Sequence, residues 1–193
     1  MNEKYNNKYR RGSHRFPGWN YGGDGMYYIT LVTQGRECHL GKIENGEMHF
    51  SDFGNIVKDQ FLQSFEMRTE LFLDEYVIMP NHIHAIVVLI NRDGTGPNDG
   101  GGRGPHESPR RSPKSISSFM AGFKSSVNSK IDDYIDRHHL DIPKFNRRNP
   151  FFQKNYHDRV VRDRDEYGRI KNYIRHNVVN WNGGKPFAKN HEC

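Results

Sequence analysis

Apolar residues along this chain change period several times, and each change marks an element. Tyr27-Tyr28-Ile29-Thr30-Leu31-Val32-Thr33 is dense in β-branched and aromatic side chains and predicts a strand. Gly41-Lys42-Ile43 and Met48-His49-Phe50 flank Glu44-Asn45-Gly46, and the Asn-Gly pair predicts a hairpin. Ser51 stands where it can cap a helix carrying Ile56, Phe61, Leu62 and Phe65 at near-helical spacing. Two strands follow over 75–79 and 82–90, joined by a tight turn at Pro80-Asn81. Ile116, Phe119, Met120, Phe123 and Val127 recur at helical intervals and predict a helix over 115–131. Residues 151–161 have extended character, and a last helix spans 163–177. The order predicts an α+β fold, an antiparallel β-sheet with packed α-helices.

Two stretches lack any period. Residues 1–24, rich in Asn, Arg, Lys, Tyr and Gly, read as a flexible basic and aromatic N-terminal arm. Residues 91–114 hold six Gly and four Pro and read as a mobile insert. The 193 residues thus divide into the arm, one domain over 25–183 interrupted by the insert, and a C-terminal tail over 184–193. Mean hydropathy is −0.94 and no long apolar run occurs, which excludes a membrane-spanning helix; the polar start lacks a signal-peptide core, so a cytoplasmic protein is expected. Cys38 and Cys193 lie far apart in sequence and predict neither a disulfide scaffold nor a thiolate zinc site. A net charge of +6 favours a polyanionic partner.

The chemistry concentrates in Met79-Pro80-Asn81-His82-Ile83-His84-Ala85-Ile86-Val87-Val88-Leu89. Residues two apart in a strand share a face, so His82 and His84 project side by side. They can bind one divalent metal together, or they can be histidines satisfied by hydrogen bonds near a turn. The strand continues apolar on both of its faces, which predicts a central strand covered on both sides. Polar pairs at the mouth of such a strand are costly without partners.

His82-Ile83-His84 behind Met-Pro-Asn resembles the HUH motif (His, hydrophobic, His) of the Y1 transposase family, which includes the IS200/IS605-type transposases, and most closely its REP-associated tyrosine transposases. Tyr28 to Thr33, followed by Arg36-Glu37-Cys38, resembles that family's first strand and its exit. Phe152-Gln153-Lys154-Asn155-Tyr156, continuing to Arg162, resembles a block in which Trp usually stands where this chain has Phe152. The resemblance spans residues 27–181. It implies a ferredoxin-like or RRM-like HUH core and a single nucleophilic tyrosine on a late helix, matched by Tyr173. On a helical wheel Ile170, Ile174, Val178 and Trp181 form one apolar stripe with Tyr167 inside it; Tyr173 and Asn177 share the stripe's edge. Asn177, at i+4 from Tyr173, can join His82 and His84 as a third metal ligand, and the family has Gln or Asn there. Asn177-Val178 departs from the family's Asn-Pro. Tyr156 is the rival tyrosine, a surface tyrosine is the bland reading of Tyr173, and His176 is either solvated or an aid to proton transfer.

The resemblance further implies metal-dependent endonuclease and strand-transfer activity on single-stranded, hairpin-forming DNA, with Mg²⁺ or Mn²⁺ as cofactor and a 5′-phosphotyrosine intermediate. A monomer and a homodimer are both open. Ten Lys/Arg against four Asp/Glu between Lys144 and Arg175, interleaved with aromatics, suit a strand-binding surface. Arg11, Arg15, Trp19, Lys154, Tyr156, Arg159 and Arg162 are the expected DNA contacts. The alternative is a non-catalytic DNA-binding protein derived from such a transposase.

Overall fold

The computed structural model describes residues 23–91 and 114–181, with the backbone of two short paired strands before them, β1 (Lys4–Tyr5) and β2 (Lys8–Tyr9). The rest of the arm, most of the insert and the tail lie outside the described residues. In chain order there follow β3 (Gly25–Val32), the hairpin of β4 (Gly41–Glu44) and β5 (Glu47–Phe50), α1 (Asp52–Glu66), β6 (Leu71–Met79), β7 (His82–Leu89), α2 (Ile116–Arg137), β8 (His157–Val160) and α3 (Arg164–Arg175). β6, β7, β3 and β8 form one four-stranded sheet in that order, antiparallel throughout. The α+β architecture is the one the sequence pattern predicts.

Local chemistry explains the elements. Asn45 and Gly46 both take positive φ, 54° and 77°, as a two-residue hairpin turn requires. The Ser51 hydroxyl accepts from Gly54 N at 2.9 Å and caps α1. Ser115 and Ser118 cap α2 reciprocally. α2 runs past its expected end because Ile131 and Ile135 carry the buried stripe on beyond the charged Asp132-Asp133 pair.

The sheet is covered on both faces. Ile29 and Leu31 of β3, with Ile83, Ala85, Val87 and Leu89 of β7, point to the face occupied by α1 and α2 and join Phe61, Phe119 and Phe123 in the main core. Ile86 is fully buried outside that core cluster, on the opposite face, as is Ile174 of α3. A bulge between Leu73 and Glu75 changes the phase of β6. Leu71 and Leu73 pair with Leu89 and Val87, whereas Tyr76 and Ile78 pair with Ala85 and Ile83, so inward positions switch from odd to even numbers. The strand runs from Leu71, four residues ahead of the expected start at 75, which lies just past the bulge.

Two expectations are corrected. Residues 151–156 are not strand: Phe151 and Phe152 are buried, Phe152 bridges Thr33, and β8 begins only at His157. Cys38 is disulfide-bonded, where its distance in sequence from the second cysteine predicted no disulfide scaffold. Among the described residues no helix is long and apolar enough to cross a membrane.

Gly54 sits where the first turn of α1 meets the chain before β4. A Cβ there would lie 1.9 Å from Leu40 O, a backbone atom that cannot step aside. Gly54→Ala should therefore destabilise the fold by about 2 kcal/mol or more, read as a lowered denaturant midpoint.

Candidate active site

The turn entering β7 is held by its backbone. Pro80 O accepts from Leu40 N at 2.9 Å, and Asn81 O accepts from Thr33 N at 2.9 Å and Thr33 Oγ1 at 3.0 Å. His82 thus leaves a clamped turn in a set direction, and the pleat aims His84 to the same face. Their ring centroids lie 4.6 Å apart.

Each imidazole has one nitrogen engaged by neighbouring oxygens. Asn81, 5% exposed, meets His82 Nδ1 with its Oδ1 at 2.7 Å. His84 Nδ1 meets the Tyr28 hydroxyl at 2.8 Å and Thr30 Oγ1 at 2.9 Å. The register of β3 against β7 sets Thr30 directly opposite His84, with Tyr28 two residues along on the same face. Tyr28 also stacks on the His84 ring at 5.4 Å. Burial pulls His82 down to about 4, with the Arg36 charge acting the same way, and pulls His84 down to about 3, aided by His82. Both rings are therefore neutral at physiological pH, the form that ligates metals.

The remaining nitrogen of His84 faces α3. Tyr173 Oη stands 3.5 Å from His84 Nε2, at the outer limit of a hydrogen bond, with the rings edge-on at 5.3 Å. Two tyrosines thus touch one histidine, and their surroundings separate them. Burial pushes the Tyr28 phenol well above its ordinary range, with Thr30 opposing and Tyr173 adding to the rise, so Tyr28 stays a neutral partner. Tyr173 is 52% exposed and open to a ligand.

α3 buries only Glu166 and Ile174, so apolar packing secures little of it. Polar contacts with the β6 bulge do the rest. The Tyr167 hydroxyl donates to Asp74 at 3.0 Å, Lys171 Nζ reaches Asp74 at 3.2 Å, and Arg175 Nε donates to Glu75 at 2.7 Å. These three residues recur at i, i+4 and i+8, one line along the helix, and they align it over β6 and β7. Tyr167, expected inside the apolar stripe, is half-buried with its hydroxyl in this polar line.

Three of the four expected catalytic and metal residues, His82, His84 and Tyr173, come together. Asn177 is buried one turn beyond Tyr173, where the chain has left α3 for a series of turns, and no hydrogen bond ties its side chain to either histidine. Trp181 lies with its ring 5.9 Å from that of His82. His176 Nδ1 is spent on Asn172 O of its own helix.

The described residues include four of the expected DNA contacts, Lys154, Tyr156, Arg159 and Arg162. Tyr156 packs against α2, its hydroxyl 3.2 Å from Ser117 Oγ. Arg159 pairs with Glu166 at 2.5 Å, and Arg162 N donates to the same carboxylate. Lys154 is exposed, with its carbonyl bonded to Lys124 Nζ. Arg11, Arg15 and Trp19 lie outside the described residues. Sequence reasoning assigned no role to Tyr28, Thr30, Arg36 or Asn81; Asn81 stood in the quoted motif, whereas Thr30 is linked to His84 only by strand register.

Among the described residues no group of three or more His, Cys, Asp or Glu is placed to hold a metal ion. A cation here would rest on the two imidazoles, an amide oxygen and oxygens from outside the protein.

No family model matches the chain. An uncharacterized protein of Haemophilus influenzae is 30% identical over 186 residues, covering 94% of this chain and 96% of that protein. Among solved structures, a REP-associated tyrosine transposase bound to a REP hairpin aligns with a TM-score of 0.51 at 16% identity, over 89% of this chain and 72% of that one. The likeness establishes a shared Y1-transposase-like fold.

Replacing both Tyr28 by Phe and Thr30 by Val strips His84 Nδ1 of its oxygens and should cost about 1–3 kcal/mol in urea unfolding. Either single change should cost less, because one hydroxyl still serves the nitrogen. The two low histidine pKa values also set a pH dependence. Unfolded imidazoles near 6.5 take up protons that the folded ones refuse. In chelator, stability should therefore hold above pH 6.5 and fall as pH drops toward 4, and His82→Gln should make that slope shallower.

Proposed function

We propose that this chain, which belongs to one family with the Haemophilus influenzae protein and has a Y1-transposase-like fold, is a metal-dependent single-stranded DNA endonuclease and strand transferase acting on hairpin-forming repeats in the cytoplasm. The observation that carries this reading is the Tyr173 hydroxyl 3.5 Å from His84 Nε2, on the same face as His82. A half-exposed phenol beside a histidine pair suits phosphodiester transfer to tyrosine.

The donor chemistry suits a cation. Each histidine keeps Nδ1 toward protein oxygens, which leaves Nε2 to ligate, and outer-shell oxygens of this kind orient metal-bound imidazoles. His82, His84 and Asn177 would hold Mg²⁺ or Mn²⁺. When bound, the ion polarises the scissile phosphate and offsets charge in the transition state. Tyr173 Oη attacks phosphorus, the bond to the 3′-oxygen breaks, and the proton lost by the phenol is balanced by one gained at the 3′-hydroxyl. The product is a 5′-phosphotyrosine, and attack by another strand's 3′-hydroxyl reverses the step without ATP. Tyr28 supports His84 and is kept protonated by its burial.

In this reading Tyr173 acts beside His84 of its own chain. Arg147 and Arg148, exposed in the segment before Phe151, and Lys154 offer charges for phosphate contacts. The REP-associated transposase of similar fold is bound to a REP hairpin, and a hairpin foot is the substrate proposed here.

Single-stranded oligonucleotides covering repeats that flank the gene, labelled at either end, test this with Mg²⁺ or Mn²⁺ on denaturing gels. Wild type should give a protein-linked band. Tyr173→Phe should give none while still binding DNA, and His82→Ala should lose it as well. Binding without any adduct, across both metals and all strands, would establish the non-catalytic DNA-binding alternative.

A further inference from the structure

The orientation of the Asn81 amide follows from its surroundings. Arg36 O, 3.1 Å from the amide, is a backbone carbonyl and can only accept. The amide nitrogen must therefore face Arg36, and Oδ1 must face His82 Nδ1 at 2.7 Å. A carbonyl oxygen can only accept as well, so the proton on neutral His82 has to sit on Nδ1. Reversing the amide would set two acceptors against each other at Arg36, in a site where Asn81 is 5% exposed and water is scarce. His84 is under no such constraint, because both oxygens on its Nδ1 are hydroxyls that can donate or accept.

The carbonyl that starts this chain of bonds is itself held in place. Gly35 and Arg36 both adopt left-handed φ, 65° and 64°, and the second is costly for a residue with a side chain. Thr33 closes the loop with its hydroxyl, within reach of Glu37 O at 2.7 Å and Asn81 O at 3.0 Å. The exit of β3 is thus bent so that a main-chain oxygen points at the Asn81 amide.

We propose that Asn81 is a positioning residue: through Arg36 O it locks His82 in the Nδ1–H tautomer, so that Nε2 of His82 keeps the lone pair that a cation needs. In effect the loop after β3 sets the protonation pattern of a ligand on β7. The proposal deepens the metal-supported reading above, and it assigns the left-handed Arg36 turn a purpose in the site.

The test is direct. Protein labelled with ¹⁵N-histidine is examined at mildly alkaline pH by long-range ¹H–¹⁵N correlation, with no metal and no DNA. Wild-type His82 should carry its proton on Nδ1. Asn81→Ala should release it to the Nε2–H form or a mixture, while His84, with its own partners intact, keeps its signals and reports that the site remains folded. Asn81→Asp gives up the donor to Arg36 O but retains an acceptor for Nδ1–H, so it should keep the Nδ1–H tautomer even where the loop loosens. Mn²⁺ affinity measured without DNA should fall about 10- to 100-fold in Asn81→Ala. A wild-type His82 protonated on Nε2, or a tautomer unchanged in Asn81→Ala, overturns the proposal. Should Asn81→Ala fail to fold, Asn81→Asp decides alone, because an Nε2–H His82 in that variant also overturns it. If tautomer and affinity follow expectation yet no phosphotyrosine forms in wild type, the positioning role stands and the nuclease reading falls.

Discussion

A strand buried on both faces has nowhere to hide a polar side chain, and β7 carries two imidazoles into such a place. Each buried nitrogen needs a partner or costs free energy comparable to a lost hydrogen bond. The surrounding structure answers that demand. Thr30 and Tyr28 come from the neighbouring strand in register, Asn81 comes from the turn, and Tyr173 comes from the helix that covers the face. The imidazoles are thus satisfied at Nδ1, while Nε2 of His84 meets only the half-exposed Tyr173 hydroxyl at 3.5 Å.

The helix carrying Tyr173 obeys a different rule. Its few buried apolar side chains cannot hold it alone, so the β6 bulge supplies Asp74 and Glu75 to Tyr167, Lys171 and Arg175. Half-buried pairs of this kind contribute little each, but they have direction, and they fix how Tyr173 faces His84. The bulge does two jobs: it corrects the phase of β6 against the core and delivers two carboxylates to the helix.

Much of this was legible along the chain. The stripe of α2, the Asn45-Gly46 hairpin and the Ser51 cap each rest on contacts within a few residues, so local periodicity and turn chemistry were enough. Leu71 to Asp74 was not legible as strand, because the bulge breaks the alternation by which strands are read. Residues 151–156 look extended in sequence, yet Phe151 and Phe152 are spent on the core rather than on a ladder. Arg159, an expected DNA contact, also pairs with Glu166, a contact between β8 and α3 that no spacing rule encodes.

By itself the amino-acid sequence determined the α+β class, the shared face of His82 and His84, and the candidacy of Tyr173, since all three follow from periods of 2.0 and 3.6 and from recognisable motifs. Only the tertiary structure decided which tyrosine meets the open side of His84, which oxygens occupy its closed side, and which way the Asn81 amide points. Those choices depend on strand register, on a bulge and on the direction of one backbone carbonyl. Hydrogen bonds between residues far apart in the chain settle them, and a linear pattern carries no record of such distances.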